Sequence, residues 1–197
     1  MTDRDLHVGR VLRASTRGFA LGCAVMQPDI PAFGSFVRAD GQRSGEAIYG
    51  LIYDVSVEDD PFVRQFIGAN PSDEVVRDQR ENRQVPIEVR VLAVGCGAQE
   101  MIRHCLPAQP PVTLDWLYLC SNEEIRTFTE RFDYFRLVLE AREVPADELL
   151  AASLRVAAAA RPRSERESFL VDAGRELVRL LAGEPTRLEG LLRRLRA

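Results

Sequence analysis

Along the first third of the chain, apolar positions come in short runs separated by turn residues. HVGRVLR (7–13), FALGCAVM (19–26) and FGSFVRAD (33–40) are bounded by Ser, Thr, Gly, Asp or Pro, and short β-branched and aromatic runs punctuated in this way predict strands. Asp40-Gly41 is a hairpin signal ahead of a fourth run. That run, GEAIYGLIYDVSVEDDP (45–61), places Ile48, Leu51, Ile52, Tyr53, Val55 and Val57 around Gly50. A glycine inside a strand pattern predicts a bulge, a tight bend or a close backbone approach, as a barrel requires. Acids at 58–60 and Pro61 end the run.

From 61 to 84 the period changes. Asp60 can cap a helix with Pro61 at its first position and Phe62, Val63, Phe66 and Ile67 as the apolar face. SDEVVRDQRENRQ (72–84) then predicts a polar helix with Arg77, Arg80 and Arg83 at three-residue spacing, roughly on one face. Strand character resumes at Pro86, where Ile87, Val89, Val91 and Ala93 alternate with Glu88 and Arg90. A turn is expected at 95–97, a short strand at 101–106, and PAQPP (107–111) is expected to lead the chain out of the barrel.

The remainder reads as helix. Ser121 with Glu124 forms a capping-box pattern, and Ile125, Phe128, Phe132, Phe135 and Leu139 follow at three- and four-residue steps. Pro145 opens a second helix; Ser164 with Glu167 and Thr186 with Glu189 suggest capping boxes for a third and a fourth. The pattern predicts an α+β protein: a small N-terminal β-barrel over 1–120 with a helical insertion at about 61–84, then a C-terminal helical domain over 121–197.

Composition removes several chemistries. All 26 basic residues are arginine, which excludes a lysine Schiff base, a lysine general base and a P-loop lysine. No GxxxxGK[ST] or GxSxG pattern occurs. The net charge of -4 argues against a surface that coats nucleic acid or membrane, although residues 155–197 hold ten arginines against six acids. MTDRDLHVGRVLR carries no apolar signal core and no apolar stretch approaches spanning length, so a cytoplasmic protein is expected.

Candidate chemistry is sparse. Cys23, Cys96, Cys105 and Cys120 contain no CxxC pair, and His104 with Cys96, Cys105 and Cys120 matches no common zinc spacing. Asp54, Glu58, Asp59 and Asp60 have the oxygen ligands of a hard-metal site, or simply end a strand before a helix cap. Cys105 with His7 is a conceivable nucleophile pair. Arg77, Arg80 and Arg83 could grip phosphate, but Asp78 and Glu81 between them equally describe a salt-bridged solvated face. The C-terminal arginines have the same two explanations, phosphate contact or helix-dipole complementation.

Val8-Gly9-Arg10-Val11, Gly34-Ser35-Phe36-Val37 and Ile48-Tyr49-Gly50-Leu51-Ile52-Tyr53-Asp54-Val55 resemble the succession of strands in the HAS barrel. That barrel begins HerA-type DNA translocases and the catalytic subunits of rotary ATP synthases. PAQPPVTLDWLYL (107–119) looks like the proline-rich link by which HerA proteins leave their barrel. Those proteins continue into an ATPase domain, whereas this chain continues into about eighty helical residues without a Walker motif. The resemblance therefore implies barrel-mediated assembly without ATP hydrolysis. The expectation is a non-enzymatic adaptor that docks on a HerA-like DNA-processing ATPase or its nuclease and is able to oligomerise, with no catalytic residue, cofactor or metal. Tyr49, Asp54, Arg77, Arg80 and Arg83 are its candidate interaction residues. The alternative is a nucleic-acid-binding accessory protein that uses the arginine-rich insertion and the basic C-terminal helix.

Overall fold

The computed structural model describes residues 7–26, 31–42, 45–57, 61–82, 84–98 and 101–196. Seven strands precede the last five helices: β1 (His7–Ala14), β2 (Gly18–Met26), β3 (Phe36–Asp40), β4 (Ala47–Val57), β5 (Gln84–Ala98), β6 (Met101–Arg103) and β7 (Trp116–Leu119). Two helices, α1 (Pro61–Gly68) and α2 (Asp73–Asn82), are inserted between β4 and β5. After β7 come α3 (Asn122–Phe128), α4 (Tyr134–Leu139), α5 (Ala146–Ala159), α6 (Arg163–Leu180) and α7 (Pro185–Arg196). The protein is α+β, as its pattern predicts.

Six strands close into a barrel in the order β1–β2–β5–β4–β3–β7 and back to β1, with every pairing antiparallel, and β6 extends β5 outside the ring. Alternation sends Val37, Ile48, Ile52, Val89, Val91 and Leu117 into the interior, where a small barrel is filled by its own side chains. Gly50 does two of the things expected of it. The register between β4 and β5 shifts between Tyr49 and Gly50, and a Cβ at Gly50 would lie 2.3 Å from Val91 Cγ1. Five consecutive residues of β4, Ile48 to Ile52, are buried, because both sides of this strand are covered and not only the inner one.

The covering is helical. Phe36, Tyr49, Leu51 and Val94 point outward from β3, β4 and β5 into one cluster with Phe128, Tyr134, Phe135, Leu150 and Leu177. The helix α5 lies at its centre with Leu149, Leu150, Leu154 and several alanines buried. Its small residues let the barrel approach closely: a Cβ on Gly34 (φ +85°) would meet Ala152 Cβ at 2.5 Å.

Four expectations need correction. The stretch after Pro107 does not leave the barrel, because its end is β7, which pairs with β1 and β3 and closes the ring. β5 runs through the expected turn at 95–97 to Ala98. The periodic stretch 121–139 is two helices: at the end of α3 the Thr129 carbonyl accepts from Arg161 Nη2 at 3.3 Å, while its buried hydroxyl donates to Ile125 O at 2.6 Å and accepts from the same Nη2 at 2.8 Å. That local hydrogen bonding competes with continuation of the helix. Of the three capping boxes only Ser121–Glu124 forms, with Glu124 N donating to Ser121 Oγ at 3.2 Å and Ser121 N to Glu124 Oε2 at 2.7 Å. Pro162 precedes α6 and Pro185 begins α7, so both helices start one residue before the Ser164 and Thr186 caps.

Candidate functional site

A concavity of about 770 Å³ lies where the barrel meets the helical region. Arg13, Arg17 and the β1–β2 turn form one wall with Tyr53 and Arg90, while Glu140, Arg142 and Glu143 from the segment after α4 face them. Most of its barrel-side charge is already matched. Glu88 accepts from Arg13 Nη1 at 2.9 Å and from Arg90 Nε at 2.9 Å, and Arg90 also lies 3.8 Å from Asp54. Hydrogen bonds from Arg13 and then Arg90 hold the Glu88 carboxyl below its usual range, and both guanidinium groups are pushed up in return. Ser15 donates its hydroxyl to Gly18 O at 3.0 Å, a turn contact. The cleft thus brings no activated nucleophile beside a base among the described residues, and its arginines brace β1 against β5.

A second surface lies on the outside of β1 and β7. Because Leu117 and Leu119 face the interior, Trp116 and Tyr118 point outward. The His7 ring lies 4.7 Å from that of Trp116 and 4.9 Å from that of Tyr118. The Arg10 guanidinium stacks 3.9 Å from the Trp116 ring centroid and donates to Leu114 O at 2.7 Å. Arg38 stacks 4.7 Å from Tyr118 and pairs with Glu124 at 2.6 Å. On this face Trp116 is 38% exposed and Leu114 68%, while Leu12, 51% exposed, leans the other way over Gly22 of β2. Leu114 also holds φ +68°, a left-handed conformation that costs a leucine about 1–2 kcal/mol. It is fixed there by its own N–H donating to Val11 O at 2.8 Å.

No family model and no curated protein matches the chain. The site is therefore defined by its own residues.

The candidate residues scatter. Tyr49 is 1% exposed and belongs to the seam under the helices, where burial pushes its phenol up to about 12. Asp54 sits at the edge of the arginine network, 3.8 Å from Arg90. Arg77 is exposed on α2, while the Arg80 side chain, Arg83 and the acids at 58–60 lie outside the described residues. The Cys23 side chain lies outside them too. His7 packs on Trp116 and Tyr118 while the Cys105 thiol meets Cys96, so the conceived Cys105–His7 pair gives way to other partners. His104 is tied to Phe128 O at 3.0 Å, and no group of three metal-ligating side chains forms among the described residues. In the basic tail Arg175, Arg179, Arg187, Arg193 and Arg194 are each held by a carboxylate.

The open face is hidden in the sequence because 107–119 resembles a proline-rich linker. The signal that marks it is WLYL itself, a period-two run with two aromatics on one side.

Proposed function

We propose that this protein is a non-enzymatic assembly module that docks on a protein partner through the open face of its barrel, with a HerA-like DNA-processing ATPase or its nuclease as that partner. The observation that carries the docking surface is Leu114, an exposed leucine held in a left-handed turn beside Trp116 and Arg10. Strain and solvent exposure both count against leucine at that position, and strained positions persist where function uses them. Trp and Arg are also the residue types that dominate binding energy at protein interfaces. The identity of the partner rests on the strand motifs that resemble the HAS barrel, and the closed six-strand ring is compatible with them.

Native co-purification of the tagged protein, with and without nuclease treatment, tests this. An ATPase or nuclease retained in both arms and lost on Leu114→Asp supports the proposal. Retention by Leu114→Asp moves docking to another surface, and failure to retain either enzyme overturns the assignment of partner.

One observation favours a second reading, single-stranded nucleic acid on the same face. His7, Trp116 and Tyr118 form a run of rings with Arg10 and Arg38 stacked against them, the ingredients of a base-stacking platform. In that case the interaction vanishes with nuclease, and Arg10→Ala lowers the salt slope of oligonucleotide binding by about one.

A further inference from the structure

The β5–β6 hairpin brings two of the four cysteines together. Cys96, on β5 opposite Arg103 of β6, is 2% exposed, and its Sγ lies 3.7 Å from Sγ of Cys105, which is exposed just beyond β6. Cys105 is held in place by its N–H donating to Arg103 O at 3.0 Å, while the neighbouring His104 is fastened to Phe128 O at 3.0 Å. Chain geometry thus presents one thiol to solvent and keeps a second in contact behind it. Cys120 is half-buried near Glu124 and Arg38.

We propose that Cys96 and Cys105 are a redox modification site that takes a low-molecular-weight disulfide as co-substrate and closes to an intramolecular disulfide. The Cys105 thiolate attacks one sulfur of the small disulfide, whose S–S bond breaks and releases one small thiol. The resulting mixed disulfide is then attacked by Cys96, which gives up its proton. The second small thiol leaves, and a Cys96–Cys105 bond remains. The protein loses two electrons and two protons, and the small disulfide becomes two thiols.

The order of events follows from exposure. Burial pushes the Cys96 thiol up to about 11, with the Cys105 contact adding to the effect, so Cys96 resolves and Cys105 receives. From a 3.7 Å contact the sulfurs must close by about 1.6 Å to reach bonding distance. Movement of the exposed Cys105 turn supplies this. Leu106, the next residue, lines the cleft between barrel and helices, so the bond fixes one edge of that cleft to β5.

The test is to incubate the reduced protein with oxidised glutathione, alkylate under denaturing conditions, and read intact mass and peptide map. The expected product has lost two of its four alkylatable thiols, carries a Cys96–Cys105 cross-linked peptide and no glutathione, and reverts on reduction. Cys105→Ser, at an exposed position, abolishes the cross-link, and Cys96→Ala leaves glutathione attached at Cys105. Stable glutathione on Cys105 of the wild-type chain overturns the proposal. So does Cys96 that stays fully alkylatable, or a bond formed instead with Cys23 or Cys120.

Discussion

The barrel wall carries apolar side chains outward on two sides, and the two sides fare differently. On β3, β4 and β5, Phe36, Tyr49, Leu51 and Val94 are at most 2% exposed beneath the helices. On β1 and the adjoining β7 segment, Leu12, Leu114 and Trp116 remain 38–68% exposed. Strand alternation turns Leu12 and Trp116 outward just as it does Phe36 and Tyr49, and the helical region is what separates the two sides. It completes one side as core and leaves the other available.

The sharpest way to break this comparison is at the seam. Phe128 sits 5.7 Å from Phe36, 5.3 Å from Tyr49 and 5.3 Å from Tyr134, ring to ring. Phe128→Ala should cost about 3–5 kcal/mol, measured by urea denaturation. Leu12→Ser on the open face should stay within about 0.5 kcal/mol of the parent. Equal losses would mean that the open face is core as well. Gly95→Ala refines the point. Its Cβ would meet Phe128 Cε2 at 2.7 Å and Arg103 O at 3.0 Å, an overpacking expected to cost about 1–3 kcal/mol.

Much of the architecture was legible because the deciding signals are local. Gly50, Asp40-Gly41 and the alternation of Val89, Val91 and Ala93 speak through their neighbours alone. The strand β7 was not legible, since it is four residues long and follows a proline-rich stretch. Its identity comes from pairing with β1 and β3, more than seventy residues away. Thr129 misled in the opposite way. Its spacing fits one continuous helix, while the Arg161 guanidinium that takes its carbonyl and hydroxyl lies 32 residues further along the chain. The site was harder than the fold for the same reason. Tyr49 sits in a strand whose pattern cannot tell which side a helix will later cover, and the Cys96–Cys105 contact depends on a hairpin register.

On the open side the expected change in stability is smaller and has the opposite sign. Leu114→Gly relieves the left-handed backbone and removes an exposed side chain, at the expense of a more flexible unfolded chain. A net gain of up to about 1 kcal/mol is expected, together with loss of partner retention. A variant that is more stable and no longer binds is the pattern of a residue kept for function. If stability falls instead, Leu114 is structural and the surface loses its strongest support.

The smallest effect belongs to the covered side and is read through pH. His104 lies under the helices with its ring 4.5 Å from that of Phe128 and 5.3 Å from that of Tyr134. Burial lowers its pKa below the ordinary 6.5, outweighing the Phe128 carbonyl and Asp133, which raise it. Arg131 acts in the same direction as burial. A lowered histidine binds its proton less readily folded than unfolded, so between the folded pKa and about 6.5 the unfolded chain holds more protons. Stability contributed by neutral His104 is therefore complete above about pH 6.5 and declines as pH falls toward the folded value, below which the loss stops growing. Glu88 acts lower on the scale: its pKa is held below 4.5, so its stabilisation is complete above that pH and is lost as pH falls through the folded value. Urea midpoints measured stepwise from pH 8 to about pH 5 isolate the histidine window from that of the carboxylates. His104→Asn should flatten the slope in that window while lowering stability throughout, because it removes ring contacts with Phe128 and Tyr134. An unchanged slope would place the titration on a group other than His104.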